Sequence, residues 1–196
     1  MRDSLGGGGV TYGTLKWTSG SLYLDDSLLA SDVNANTRGH FDKINLDVAR
    51  IQALSLGGNT NFILFGSLSA QEASKNLDSS ERFGQGGATG VRAYPSGEGF
   101  GDSGWLAQLE LRYSAGAYAP YVFYDASEIK INAKPWVTGV NKRKLAGAGV
   151  GLRYTQGGWS AEAALALRME GGLPQADTSD KRENGPQAWV NLSYKF

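Results

Sequence analysis

Four segments in the second half of the chain alternate between apolar and polar residues, and this alternation limits the possible folds more than any other feature. In each segment, the apolar residues fall on one parity and polar or small residues on the other, as in a β-strand with two different faces. Taking every second residue, the apolar sets run from Trp105 to Tyr113, Ala146 to Tyr154, Trp159 to Met169 and Ala188 to Phe196. In the last segment Trp189 is an exception, because it lies on the polar parity. The alternation predicts an antiparallel sheet with one apolar face.

Further strand-like segments precede and interrupt these four. They span residues 10–17, 41–54, 62–70 and 118–131, which brings the total to about eight strands. Gly157-Gly158 predicts a short hairpin, whereas residues 25–39, 71–104 and 171–186 are long polar connections. Short turns at one end and long polar loops at the other are typical of outer-membrane β-barrels.

A soluble antiparallel sandwich is the alternative, because its strands also alternate. Three features favour the barrel. Segments of about ten residues suit the ~9–11 needed to cross a bilayer, while strands in globular proteins are nearer 5–6. Aromatic residues lie at strand ends, where an interfacial girdle belongs. Charges such as Glu110, Arg153 and Glu162 lie opposite the apolar face, which suits a wet lumen. We therefore predict an all-β fold, an antiparallel transmembrane β-barrel.

The composition argues against several other functions. Lys+Arg and Asp+Glu both number 19, so the chain lacks the positive field that nucleic-acid binding uses. It has no cysteine, and its single histidine, His40, has no serine-elbow motif to accompany it. Acidic residues at Asp25-Asp26 and within 177–183 lack the spacing of calcium ligands. We predict no catalytic, metal or cofactor site and no nucleic-acid partner.

The glycine-rich segment 81–105 is neither a strand nor an ordinary loop. Structureless loops longer than about 15 residues are usually functional or disordered. Aromatic residues such as Phe83, Tyr94 and Phe100 are spaced through this one, which argues against disorder. Its glycines permit sharp turns and close backbone approach. The segment is therefore expected to fold back and dock.

A docked loop of this kind would need a carboxylate for Arg92. Its guanidinium offers five donors in a rigid fork, and parity allows Asp125 to face the lumen. From parity alone, the alternative that Arg92 is a solvated loop charge stays open.

The order and spacing of these residues resemble the lid-loop region of two-partner secretion transporters, the haemolysin-activator type of outer-membrane protein. The family pattern is Val-Arg-Gly-Tyr/Phe, then Gly-Glu and Gly-Asp-x-Gly, followed by a Phe-x-Asp-x-Gly strand whose aspartate receives the loop arginine. The matching residues here are Val91, Arg92, Ala93 and Tyr94, the loop glycines Gly86, Gly87, Gly97, Gly101 and Gly104, and Phe123 to Ser127.

The resemblance implies a lid loop at about residues 75–103, held on the barrel wall by Asp125 and Phe123. Two residues depart from the pattern, because Ala93 and Ser127 stand where the family has glycine. The Cβ of Ala93 is expected to strain the loop tip if the backbone needs an unusual φ there.

The family joins a pair of soluble POTRA modules to a barrel of about 16 strands. We expect residues 1–196 to be the C-terminal portion of such a barrel, without the POTRA modules and the N-terminal strands. An isolated half would leave two sheet edges open, so it is expected to misassemble, oligomerise or close as a small barrel.

By this resemblance, the chain is part of a pore that exports a large partner protein, of haemolysin or adhesin type, across the bacterial outer membrane. The implied partners are the secreted protein, outer-membrane lipid and the outer-membrane assembly machinery. The alternation of Val190, Leu192, Tyr194 and Phe196 is similar to the terminal strand signal that this machinery reads, although these residues also suit a simple girdle. Two other functions stay open: an assembly or insertion factor of the same superfamily, and a small passive barrel.

Overall fold

One antiparallel sheet dominates the computed structural model, which describes residues 2–3, 8–182 and 185–196. The strands in chain order are β1 (Arg2–Asp3), β2 (Gly9–Leu22), β3 (Gly39–Leu56), β4 (Asn59–Ala73), β5 (Phe83–Gly84), β6 (Phe100–Gly101), β7 (Ser103–Tyr113), β8 (Tyr118–Lys130), β9 (Lys142–Gln156), β10 (Trp159–Glu170) and β11 (Gln187–Tyr194). Within the described residues, the main sheet has nine strands in the order β1-β2-β3-β4-β7-β8-β9-β10-β11, and β5 pairs with β6 in a separate small sheet. Apart from the two-residue β1, these are the eight long strands that the alternation predicts.

The two ends of the sheet are joined differently. Gly57-Gly58 and Gly157-Gly158 close hairpins at one end, and all four residues have positive φ, as the tight turns of hairpins require. The connection between β7 and β8 lies at the same end. At the other end, the connections are long and span residues 23–38, 74–102, 131–141 and 171–186. The predicted hairpin at Gly157-Gly158 and the asymmetry of the loops are both confirmed.

A helix, α1 (Asp26–Ala35), lies in the predicted polar connection between β2 and β3. Asn36 ends it in the left-handed conformation, and the Asp32 carboxylate accepts the backbone N–H of Thr37 at 2.7 Å. Leu28 and Val33 are both exposed, so the helix has no apolar stripe that a sequence pattern could reveal. Within the described ranges, no helix has the length and apolar character needed to cross a membrane.

The two faces of the sheet differ in chemistry, as the parity predicts. On β8, the inward residues Tyr121, Phe123 and Asp125 are buried. The opposite parity is apolar and exposed, for example Val122 opposite Val150. In the described part of the chain, no second layer of strands covers this apolar face, so the sandwich alternative is wrong.

The core lies on the inner face, between the wall strands and the connection 74–102. This connection contributes Val91, Ala93 and Tyr94, all fully buried. Their partners from the wall include Leu106, Tyr121, Phe123, Leu145 and Ala166. The glycine-rich segment is therefore docked on the sheet and does not project into solvent.

The sheet is open in the described residues. One edge carries β1 on β2, and the other is β11, which pairs with β10 alone. Closure into a small eight-stranded barrel, one of the expected outcomes, is not the arrangement seen.

Candidate functional site

The predicted lid loop, called the lid loop below and counted as residues 75–102 because β7 begins at Ser103, doubles back so that its tip reaches the inner face of the sheet. The backbone N–H of Gly86 donates to Glu98 O at 2.9 Å, and that of Val91 donates to Gln85 O at 2.7 Å. A Cβ added at Gly86 would lie 2.6 Å from Pro95 O, so this crossing of the backbone needs glycine.

The other predicted loop glycines lie along the same path. Gly87 and Gly97 have positive φ. Gly101 and Gly104 pass so close to β8 that an added Cβ would lie 2.5 Å from Lys130 O and 2.8 Å from Glu128 O, respectively.

Arg92 at the tip of the lid loop lies against two buried carboxylates. Its Nε and Nη2 donate to the two oxygens of Asp125, at 2.8 and 2.7 Å, and its backbone N–H donates to the same carboxylate at 3.1 Å. Nη1 donates to Glu110 Oε1 at 2.5 Å. Arg92 is 5% exposed and Asp125 is 0% exposed. The structure thus brings together the arginine and the aspartate that sequence analysis singled out, in a bidentate pair.

Aromatic rings complete the surroundings of Arg92. Its guanidinium carbon lies 3.6 Å from the ring centroid of Phe123, close enough for a cation–π interaction. Trp189 Nε1 donates to Arg92 O at 2.7 Å. This contact accounts for the parity exception in the last strand, because Trp189 faces inward to bind the lid loop.

The charge of Arg92 is strongly stabilised. Burial alone would lower the pKa of the guanidinium, but the hydrogen bonds and charges of Asp125 and Glu110 outweigh it and raise this pKa above its ordinary value. Glu110 is shared with Arg153 at 3.0 Å and Arg112 at 2.7 Å. The lid arginine is therefore one member of a charge network on the inner wall.

The neighbours of Arg92 in the motif have separate contacts. Tyr94 is buried, which raises the pKa of its hydroxyl, and that hydroxyl lies 2.8 Å from Glu170 O and 3.0 Å from Gly172 O. The expected strain at Ala93 is wrong, because among the described residues Asn36 is the only non-glycine with positive φ. Gly147 on the wall makes room for the Ala93 side chain: a Cβ at Gly147 would lie 2.4 Å from that of Ala93. Ser127, the other departure, accepts a hydrogen bond from Gln85 Nε2 at 3.0 Å.

The sequence analysis did not single out two buried carboxylates of the lid loop, Asp102 and Glu98. Asp102 accepts the backbone N–H groups of Leu77 at 3.2 Å and Ala133 at 2.8 Å, so it fixes the base of the loop to the connection after β8. Glu98 is paired with Arg143. Their position between glycines was visible in the sequence, but their partners are distant along the chain.

The C-terminal residues lie on the outer, apolar face. Val190, Leu192, Tyr194 and Phe196 are all exposed, and the Tyr194 ring packs on Trp159 with centroids 4.7 Å apart. This placement suits a girdle, and their role as an assembly signal stays a prediction.

Among the residues that the structure describes, the histidine and the acidic residues that could have formed a catalytic or metal site do not come together as one cluster. His40 is the second residue of β3, and its Nε2 is 3.3 Å from Asp42 Oδ2. In residues 2–3, 8–182 and 185–196, there is no group of three His, Cys, Asp or Glu side chains that could hold a metal. Glu183 of the acidic cluster lies outside the described residues.

Comparisons with known proteins agree with this geometry. Residues 2–186 match the family described as "Haemolysin secretion/activation protein ShlB/FhaC/HecB". The heme/hemopexin transporter protein HuxB of Haemophilus influenzae is 27% identical over 199 residues, a match that covers 96% of this chain and 33% of HuxB. HuxB from strain 86-028NP is 26% identical with the same coverage. The chain thus spans about a third of the length of these relatives.

A solved structure shows the same fold. CdiB from Acinetobacter baumannii superposes with a TM-score of 0.50 at 19% identity, over 94% of this chain and 38% of CdiB. The family is described by secretion and activation of haemolysin, and HuxB is described as a transporter. The chain belongs to the haemolysin secretion/activation family ShlB/FhaC/HecB, the outer-membrane β-barrel transporters of two-partner secretion.

Proposed function

We propose that this chain forms the C-terminal part of the barrel wall, together with the lid loop, of a pore that exports a large partner protein of haemolysin or adhesin type. The observation that carries the proposal is the buried contact of Arg92 with Asp125 and Glu110. Membership of the family supports export as the activity. HuxB, a relative of this chain, is itself described as a transporter.

The lid loop is suited to hold the wall in one shape, because Arg92 joins three strands that are not all neighbours. Asp125 lies on β8, Glu110 on β7 and Trp189 on β11. An uncompensated charge left in such a site after loss of a partner costs about 3–5 kcal/mol. The arrangement therefore favours a docked lid loop strongly over an undocked one.

The two faces supply the other contacts that an export pore needs. The outward apolar residues fit the acyl chains of outer-membrane lipid, since lipid tolerates no unpaired polar groups. The inward charges of Glu110, Arg153 and Glu162 fit a water-filled path for an extended polypeptide. The exposed strand β11, ending in Phe196, is the proposed contact with the outer-membrane assembly machinery.

Replacement of Arg92 by alanine in the natural transporter tests the proposal. We expect secretion of the partner protein to fall about tenfold or more, because Asp125 and Glu110 lose the charge that offsets their burial. The amount of folded transporter in the outer membrane should stay close to normal. Both quantities are measured by quantitative immunoblots of culture medium and membranes.

Lys75→Ala is the matched control. It removes a cation from the same lid loop, but the Lys75 ammonium donates to the backbone oxygen of Arg38 and not to a buried carboxylate. Secretion by this variant should remain near normal. Normal secretion by the Arg92→Ala variant would contradict the proposal.

A further inference from the structure

The lid loop also contacts the first part of a second long connection, the described residues 171–182 that follow β10, which we call the mouth loop. The mouth loop lies at the long-loop end of the sheet. Long loops of outer-membrane barrels face the cell exterior, so this end is the outer mouth of the pore.

Glu98 makes the central contact between the two loops. Glu98 is 1% exposed. Its carboxylate accepts the backbone N–H groups of Gln175 and Ala176, each at 2.8 Å. The same carboxylate pairs with Arg143 of β9. Hydrogen bonds to an ionised acceptor are about twice as strong as neutral ones, so Glu98 makes a strong contact with the start of the mouth loop.

Arg168 makes a second bridge. Its Nε donates to Ala93 O in the lid loop at 3.3 Å, and its Nη1 donates to Arg182 O in the mouth loop at 2.7 Å. Its Nη2 pairs with Asp180 at 2.7 Å, and hydrogen bonds from Arg168 and Arg182 lower the pKa of this carboxyl. The mouth loop is thus tied to the lid loop near both of its ends.

These contacts require the mouth loop to fold inward. Arg143 lies opposite Ile129, which shares the inner face with Asp125, and Arg168 is buried on the inner side of β10. A loop that reaches both arginines must cross the rim of the wall toward the lumen.

We propose that Glu98 is a positioning residue that fastens the mouth loop to the lid loop, so that the two form one gate at the outer mouth, and that this fastening opens while the partner protein leaves. The proposal rests on the export function proposed above. Arg92 ties the lid loop to strands of the sheet, whereas Glu98 pairs with Arg143 of β9 and also holds the backbone of the mouth loop. The mouth loop can move aside without breaking the hydrogen bonds of the wall, so the bonds from Glu98 to Gln175 and Ala176 can open while the wall stays intact.

A reversible cross-link tests whether the fastening has to open. A Cβ at Gly97 would lie 3.9 Å from that of Ala176, within the range of about 3.5–4.5 Å found in disulfides. This chain contains no cysteine, so a Gly97→Cys/Ala176→Cys pair has no competing thiol within it. Each single cysteine variant is a control, and Gly97→Cys alone also carries the strain of a side chain at φ +85.

We expect the oxidised double variant to lose most secretion and to regain it when a reductant is added. Secretion by each single variant should not change when the reductant is added. Normal secretion by a double variant whose disulfide is verified by mass spectrometry would overturn the proposal and leave the export function intact.

A second measurement does not depend on secretion. In planar bilayers, the Glu98→Ala transporter should spend about tenfold more time in its conducting state than the unmodified one, because charge-assisted bonds to the mouth loop are lost. Glu72→Ala is the control, since Glu72 is an exposed carboxylate of β4 outside both loops. An unchanged conducting time for Glu98→Ala would overturn the gate. If the unmodified transporter exported no partner, the export function would fail and this arm would still decide about the gate.

Discussion

Asp125→Asn measures how much the lid loop depends on its contact with the wall. The Asp125 side chain is fully buried and accepts three hydrogen bonds, all of them from Arg92. Asparagine keeps one oxygen acceptor but loses the charge. Its amide NH₂ would place hydrogens against an N–H group of Arg92. Breaking a buried ion pair costs about 3–5 kcal/mol, and Glu110 remains as a second partner, so we expect about 3 kcal/mol of lost stability.

The assay is urea unfolding of the transporter in lipid vesicles, followed by tryptophan fluorescence. Trp189, one of five tryptophans in this chain, donates to Arg92 O, so its part of the fluorescence change reports the docked lid loop. A double-mutant cycle with Arg92→Ala should give a coupling energy within about 0.5–3 kcal/mol, toward its upper end. The coupling separates the direct contact from general effects of each substitution.

Glu128→Gln is the matched control on the same strand. Glu128 lies on the opposite face and pairs with the exposed Lys142 at 2.8 Å. Exposed pairs contribute about 0–1 kcal/mol, so this change should cost little. If Asp125→Asn were no more destabilising than Glu128→Gln, the reasoning about the buried pair would be refuted.

Two smaller predictions concern the packing of the lid loop. Trp189→Phe should destabilise the docked loop by about 1 kcal/mol, because it removes the donor to Arg92 O while keeping an aromatic ring. This variant lacks the reporter tryptophan, so its urea unfolding is followed by circular dichroism, and an unchanged midpoint would contradict a role for this bond. Gly147→Ala should cost about 1–3 kcal/mol, because its Cβ would lie 2.4 Å from that of Ala93. Adding Ala93→Gly should return the unfolding midpoint to its original value. A midpoint that stays low would contradict the proposed close packing of these two residues.

Much of the fold could be predicted because strand alternation is local information. The parity of β8 groups Asp125 with Tyr121 and Phe123 and so allows it to face the inner side, where the structure has it buried. Alternation could not reveal α1, since Leu28 and Val33 are both exposed and leave no apolar stripe. In that segment the Asp32 carboxylate accepts the backbone N–H groups of Thr37 and Arg38 just after the helix. These bonds stabilise the end of the helix, and the exposed Leu28 and Val33 contribute little packing.

The site divides in the same way. Arg92 and Asp125 could be paired in advance because a family motif links them across 33 positions. Glu98 could not, because its partners Arg143 and Gln175 lie 45 and 77 positions away and belong to no repeated pattern. Trp189 broke the alternation visibly, but the reason lies in a contact 97 positions distant.

A charge-reversal test of the pairing of Arg92 with Asp125 has to take Glu110 into account. Glu110 lies 2.5 Å from Arg92, so an aspartate at position 92 would meet a like charge even when its new partner is in place. Glu110→Gln removes this repulsion and serves as the common background.

The most direct measurement is therefore secretion of the partner protein by Arg92→Asp/Asp125→Arg in the Glu110→Gln background. The comparison is with each single reversal in that background. A direct contact in a working pore predicts that the paired reversal secretes clearly more than both single reversals. Secretion no better than that of either single reversal would contradict the contact on which the account depends.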